Sequence, residues 1–315
     1  MTRPLLTGLL LSLALAAPAA HAEAGQFRVK PLAPKAIQGL GAPASARFHA
    51  RVEALSAYLA GLPALAGPPA PLCVELNREV WAYPLLPMGQ ALISYNYLVP
   101  LSRQTCASAS VVNSNLVFAL NHLSFIDKNN RVMEDAQGIV VQPEEYRELG
   151  PGLYKVGFRT RQYWVMTRGE PPLLAATMER VLSQRIAELE ARRAAMQDLD
   201  ERVRRPLEQE LRDARAALER LTPAQRALPA CVEALRGGLQ LRTVPGPCQA
   251  GQAALLGLNP ALAAAGPDPA ALRVLVLEAM GIRHSTEAQA HYEHRQALVQ
   301  GLDFAALQQA WQTVR

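Results

Sequence analysis

The run SASVVNSNLVFALNHLSFI, residues 108–126, decides how this chain is read. It is dense in β-branched and aromatic residues, which predicts a strand. Its alternation is imperfect, because Val112, Ser114, Leu116 and Phe118 stand against Asn113, Asn115 and Val117. No single buried face follows from period-two logic. The neighbouring runs CVELNREVWAY (73–83), GQALISYNYLVPL (89–101), QGIVVQP (137–143) and GLYKVGFRTRQYWVM (152–166) share the texture. Turn signals PMG, DKNN, PEE and GPG separate them, so the spacing predicts hairpins and a mostly antiparallel sheet over residues 72–172.

Upstream, MTRPLLTGLLLSLALAAPAAHA places Arg3 ahead of an apolar run from Leu5 to Ala16 and a small-residue stretch ending Ala20-His21-Ala22. That is the three-part pattern of a cleavable export signal, cut after Ala22. No cysteine sits at the cut to take a lipid, and no later stretch is apolar enough to span a bilayer. The expected location is therefore periplasmic or extracellular. Residues 23–71 form a proline- and alanine-rich lead-in followed by a helix, in which Phe48, Val52, Leu55 and Leu59 recur at helical spacing. Prolines 68, 69 and 71 end it.

Downstream, residues 173–228 are the longest periodic stretch. Met178, Leu182, Ile186, Leu189, Met196, Leu199, Val203, Leu207, Leu211, Leu218 and Leu221 follow three- and four-residue steps, which predicts an amphipathic helix with coiled-coil character. Pro206 removes one helical hydrogen bond, so this is either one kinked helix or two helices folded back near residues 198–206. Thr222-Pro223 reads as an N-cap with proline at the first helical position. Residues 229–315 then read as a small α/β portion, with GGLQLRTV and LRVLVLEAM as strands and a helical end. The expected fold class is α+β: a mostly antiparallel sheet with a long amphipathic helical hairpin or kinked helix and a small C-terminal α/β portion.

The basic balance carries little weight. Removing Arg3 with the signal lowers the formal net charge from +5 to +4, and only Lys30, Lys35, Lys128 and Lys155 stand among the Lys and Arg total of 32. An arginine bias of this kind reflects gene composition more than phosphate contacts, and no basic stripe interleaves with aromatics, so nucleic acid is not an expected partner. Cys73, Cys106, Cys231 and Cys248 make an even set in an oxidising compartment. The pairing expected is Cys73–Cys106 with Cys231–Cys248, each within one unit.

Chemistry concentrates in GIRHSTEAQAHYEH, residues 281–294. On a helix, His284, Glu287, His291 and His294 share one face and could hold zinc with an open position for water. The stretch is not HExxH, and a solvated helix face is the plainer account, so no cofactor is expected beyond that possible divalent metal. The turn Asp127, Asn129, Arg131 starts like a calcium loop, but Val132 and Gly138 fall where glycine and a bidentate glutamate are required. His122 could act as a base only if Asp127 or Glu134 approached it. No GxSxG, SxxK or glycine-rich phosphate loop occurs. The functional expectation is an exported, non-catalytic envelope protein that binds a protein partner or a second copy through residues 173–222. A metal-dependent hydrolase acting on envelope material is the alternative. A small-ligand module between sheet and helices is a third reading.

Overall fold

A computed structural model describes residues 26–32, 36–63, 68, 72–83, 86–100, 109–126, 138–195, 201–235, 238–242, 247–263, 266–280 and 289–314. The elements follow in the order β1 (Gln26–Val29), α1 (Ala42–Ala60), β2 (Cys73–Tyr83), β3 (Leu86–Pro100), β4 (Ala109–Leu120), β5 (Ile139–Val141), β6 (Glu145–Gly150), β7 (Leu153–Gly157), β8 (Arg161–Met166) and β9 (Leu173–Ala175). After these come α2 (Met178–Ala195), α3 (Glu201–Arg220), α4 (Pro223–Arg226), β10 (Cys231–Leu235), β11 (Gly238–Arg242), β12 (Gln252–Leu258), α5 (Pro260–Ala263), β13 (Leu275–Met280), α6 (Gln289–Gly301) and α7 (Phe304–Thr313).

Two sheets organise these elements. The larger has eight strands in the order β1-β2-β3-β4-β13-β8-β7-β6, and the smaller runs β11-β10-β12-β5 with β9 also on β12. In the larger sheet β1 is parallel to β2, as a connection through helix α1 allows, and the other pairs are antiparallel. β13 fills the centre, with Leu277 paired to Phe118 on one side and Trp164 on the other.

This overturns the expected fold class. The sheet is large and mixed, and the strand assigned to a small C-terminal portion is its middle. The helical segment is neither a kinked helix nor a long hairpin: among the described residues no helix exceeds the 20 residues of α3, and Pro206 sits inside α3 without ending it. Residues 196–200 lie outside the described residues.

The imperfect alternation of the opening run has a simple cause, which is burial on both faces. Leu116, Phe118 and Leu120 face one core with Phe48, Val52, Leu55 and Leu59 of α1, Leu298 of α6, and Leu307 and Trp311 of α7. Val117 and Ala119 face a second core with Val140, Leu173, Leu258 and Leu262. Each fully buried Leu, Val or Phe is worth about 1.5–3 kcal/mol, so β4 and β13 stabilise two layers at once. A sheet covered on both sides reads as a nearly continuous apolar run instead of an alternating one. Where α1 crosses β3, a Cβ at Gly89 would lie 2.6 Å from the Phe48 ring, so only glycine admits that contact.

A third core joins the small sheet to the helix pair through Ile139, Val181, Leu182, Leu221, Val232 and Leu255. Leu189, Leu207 and Leu211 close the helices on each other, and the ion pairs Arg185–Glu210 and Glu190–Arg215 bridge them outside. Among the described residues, the stripe positions Met178, Leu182, Leu189, Leu207, Leu211 and Leu221 are therefore covered within the chain. Cys231 and Cys248 form a disulfide with Cα atoms 5.5 Å apart, closing a loop for which chain entropy gives roughly 3 kcal/mol. Cys73 is also disulfide-bonded; Cys106, its expected partner, lies outside the described residues. No described helix is long and apolar enough to cross a membrane.

Candidate functional site

The histidine-rich stretch meets the sheet through packing. His291 and His294 lie on α6, and His284 and Glu287 lie outside the described residues. The Tyr97 ring, 1% exposed, stacks on His291 with centroids 4.7 Å apart, and its hydroxyl lies 2.7 Å from His294 Nδ1. Burial, and then the neighbouring His291, pushes the His294 pKa below its ordinary value. Which of the two groups donates in that contact is set by the imidazole tautomer. Among the described residues no group of three or more His, Cys, Asp or Glu side chains is placed to hold a metal.

The strand histidine is also placed. His122 contacts Ser124 Oγ at 3.2 Å through Nδ1 and stands edge-on to Trp81. Asp127, Asn129, Arg131, Val132 and Glu134, which the calcium and general-base readings needed, lie outside the described residues.

A different constellation emerges where β4 meets the loop that leads into β13. Asn121 ends β4 at φ 54°, the one non-glycine positive φ among the described residues. Asparagine tolerates that conformation better than most side chains. Its side chain is fully engaged: Nδ2 donates to the carbonyls of Gly89 at 2.9 Å and Ala271 at 2.8 Å. Oδ1 accepts from the backbone N–H groups of Arg273 at 2.7 Å and Val274 at 3.3 Å. The Gly89 N–H reaches the Pro269 carbonyl at 3.0 Å. The loop 266–274 is thereby clamped to the end of the sheet.

That clamp sets out one wall of a cleft of about 630 Å³, whose lining includes Arg51, Arg168, Asp268, Leu272, Arg273 and Val314. Arg51 comes from α1, Arg168 follows β8, and Val314 follows α7. Asp268 is held by Arg51 Nη1 at 2.9 Å and Arg47 Nη2 at 3.2 Å, and its Oδ1 also accepts the Ala270 N–H at 3.1 Å. Burial pushes its pKa up, but the Arg51, Ala270 and Arg47 hydrogen bonds outweigh that and hold the carboxyl below its usual value. Arg168 Nη2 donates to the Leu272 carbonyl at 3.3 Å. Arg51 Nε is buried without a hydrogen-bond partner among the described residues.

Electrostatically the cleft is cationic. Among the described residues its lining brings the guanidiniums of Arg51, Arg168 and Arg273 against the one carboxylate of Asp268. Guanidiniums are the side chains best shaped to hold carboxylate or phosphate through paired donors, and the volume is that of a small-molecule site. Sequence reasoning missed Arg51, Arg168, Asp268 and Arg273, because they come from distant segments and no motif frames them. The turn-rich GPDP at 266–269 was the only local signal. Comparison with family models, with curated proteins and with solved structures found no match, so the geometry carries the functional reading.

Proposed function

We propose that this is an exported, non-catalytic binding protein that holds a small anionic ligand in the arginine-walled cleft. The observation that carries the reading is the cleft itself, a hollow of about 630 Å³ whose described lining sets Arg51, Arg168 and Arg273 against one carboxylate, Asp268. The N-terminal signal pattern and the Cys231–Cys248 disulfide support a periplasmic or extracellular setting, where such a protein would meet its ligand.

The other expectations rank below this one. A protein partner on residues 173–222 would have to read the charged outer faces of α2 and α3, since Leu189, Leu207 and Leu211 are packed inside. The metal-dependent hydrolase reading still needs His284 and Glu287, which lie outside the described residues. The test is calorimetric titration of the purified, disulfide-bonded protein with inorganic phosphate, sulfate, acetate and an aromatic carboxylate. Saturable binding that weakens with added salt and in Arg168→Gln supports the cleft. Absence of binding by every anion refutes it.

A further inference from the structure

Within the anion-binding reading, on which this rests, we infer that the ligand is a phosphomonoester held as its dianion: one terminal phosphoryl group carrying two negative charges.

The inference starts from the cations that meet the loop 266–274. Asp268 draws in Arg51 at 2.9 Å and Arg47 at 3.2 Å, both from α1. The Arg273 guanidinium lies over Gly266, where a Cβ would stand 3.4 Å from its Cζ. Arg168, exposed where it follows β8, spends one Nη2 bond on the Leu272 carbonyl at 3.3 Å. Guanidiniums from α1, from the end of β8 and from the loop itself are thus brought to one short segment. Asp268 is the one carboxylate in the described lining of the cleft, so cations are in surplus there.

Two consequences select the head of the ligand. The first is charge. Coulomb attraction is proportional to the charge brought in, so at equal distance a dianion gains about twice what a carboxylate or a sulfate ester gains. The opposing cost is removal of water from the doubly charged group. An open mouth limits it: the Arg47 side chain is 53% exposed and that of Asp268 36%, so outward oxygens of a bound ligand keep their hydration.

The second is shape. A carboxylate offers two oxygens in one plane and suits one guanidinium fork. A phosphomonoester presents three strong acceptor oxygens in three directions, which suits donors arriving from separate segments. A guanidinium has five donors, so Arg168 keeps most of its set after the Leu272 bond and is the side chain placed to fork onto the phosphoryl group. The volume of about 630 Å³ exceeds what bare phosphate fills, so the phosphoryl group is the head of a larger molecule.

The experiment is isothermal titration of the purified, disulfide-bonded protein with phenyl phosphate and phenyl sulfate, which differ chiefly in charge. Both are measured above and below the second phosphate pKa of about 6. Above it, phenyl phosphate is expected to bind roughly tenfold more tightly than phenyl sulfate. Below it the two should converge, and the sulfate ester, which does not titrate there, reports any change in the protein's own charge. Arg168→Gln, its fold checked by circular dichroism, should weaken phenyl phosphate by a larger factor than phenyl sulfate. Phosphatidylcholine vesicles with and without phosphatidic acid identify the source. Sedimentation with the phosphatidic acid vesicles, reversed by phenyl phosphate, assigns the phosphomonoester to a lipid headgroup; binding of the soluble ester without sedimentation assigns it to a free molecule. Phenyl sulfate binding as tightly as phenyl phosphate overturns the dianion assignment and leaves the anion site standing. No binding of either ester or of either vesicle removes the anion site itself.

Discussion

The histidines of α6 and the arginines of the cleft look opposite in sequence and in space. His291 and His294 are near neighbours on one helix, conspicuous on paper, and the fold uses them to seat that helix on Tyr97. Arg51, Arg168 and Arg273 are scattered among many arginines, and the fold brings them into the lining of one cleft with Asp268. Residues close in sequence on a straight helix share a face but diverge from it, so convergence on one ligand needs groups from several elements. Topology, and not local density, makes the site.

The largest expected effect tests the frame of that site. Asn121→Ala leaves the Gly89 and Ala271 carbonyls and the Arg273 and Val274 N–H groups without their partner, and places a less tolerant residue at positive φ. Chemical denaturation should show a loss of about 3 kcal/mol or more, together with loss of anion binding. Unchanged stability would mean the loop is held by something else. Next, Arg168→Gln should weaken anion binding about tenfold, which is about 1.4 kcal/mol, while its exposed position keeps stability within about 0.5 kcal/mol. A melting shift larger than that, with binding intact, would make Arg168 a packing residue.

Tyr97→Phe is the matching probe of the histidine region. Removing the bond to His294 should cost about 1 kcal/mol and leave anion binding untouched; a lost anion site would join the two regions after all. The smallest effect is in pH. Burial lowers the His294 pKa in the fold, so the unfolded chain binds the proton more readily, and stability rises with pH across that interval. Conversely it falls as pH drops below the ordinary histidine value of about 6.5. In His294→Gln, stability measured at successive pH values should fall less over the same interval.

How much of this was legible in the sequence differs by element. The spacing of Phe48, Val52, Leu55 and Leu59 marks helix α1, and all four are fully buried, because an amphipathic helix displays its core contacts locally. β4 was legible as a strand but not in its facing, since Leu116 and Phe118 serve one core and Val117 and Ala119 the other. LRVLVLEAM was legible as a strand, yet its pairing with β4 and β8 depends on long-range contacts that no local pattern encodes. The helix pair kept its stripe, but its cover turned out to be the small sheet and the helices themselves. For the site, Asp268 sat in an evident turn, whereas nothing near Arg51 or Arg168 distinguishes them from the arginines on α2 and α3.

The placement of β13 reaches beyond the folded state. β1 to β4 and β6 to β8 are made before it, and residues 275–280 bond to both groups. Until that segment emerges, β4 and β8 present unpaired edges, the kind that invite wrong partners, and the closing contacts span a large stretch of chain, which slows folding.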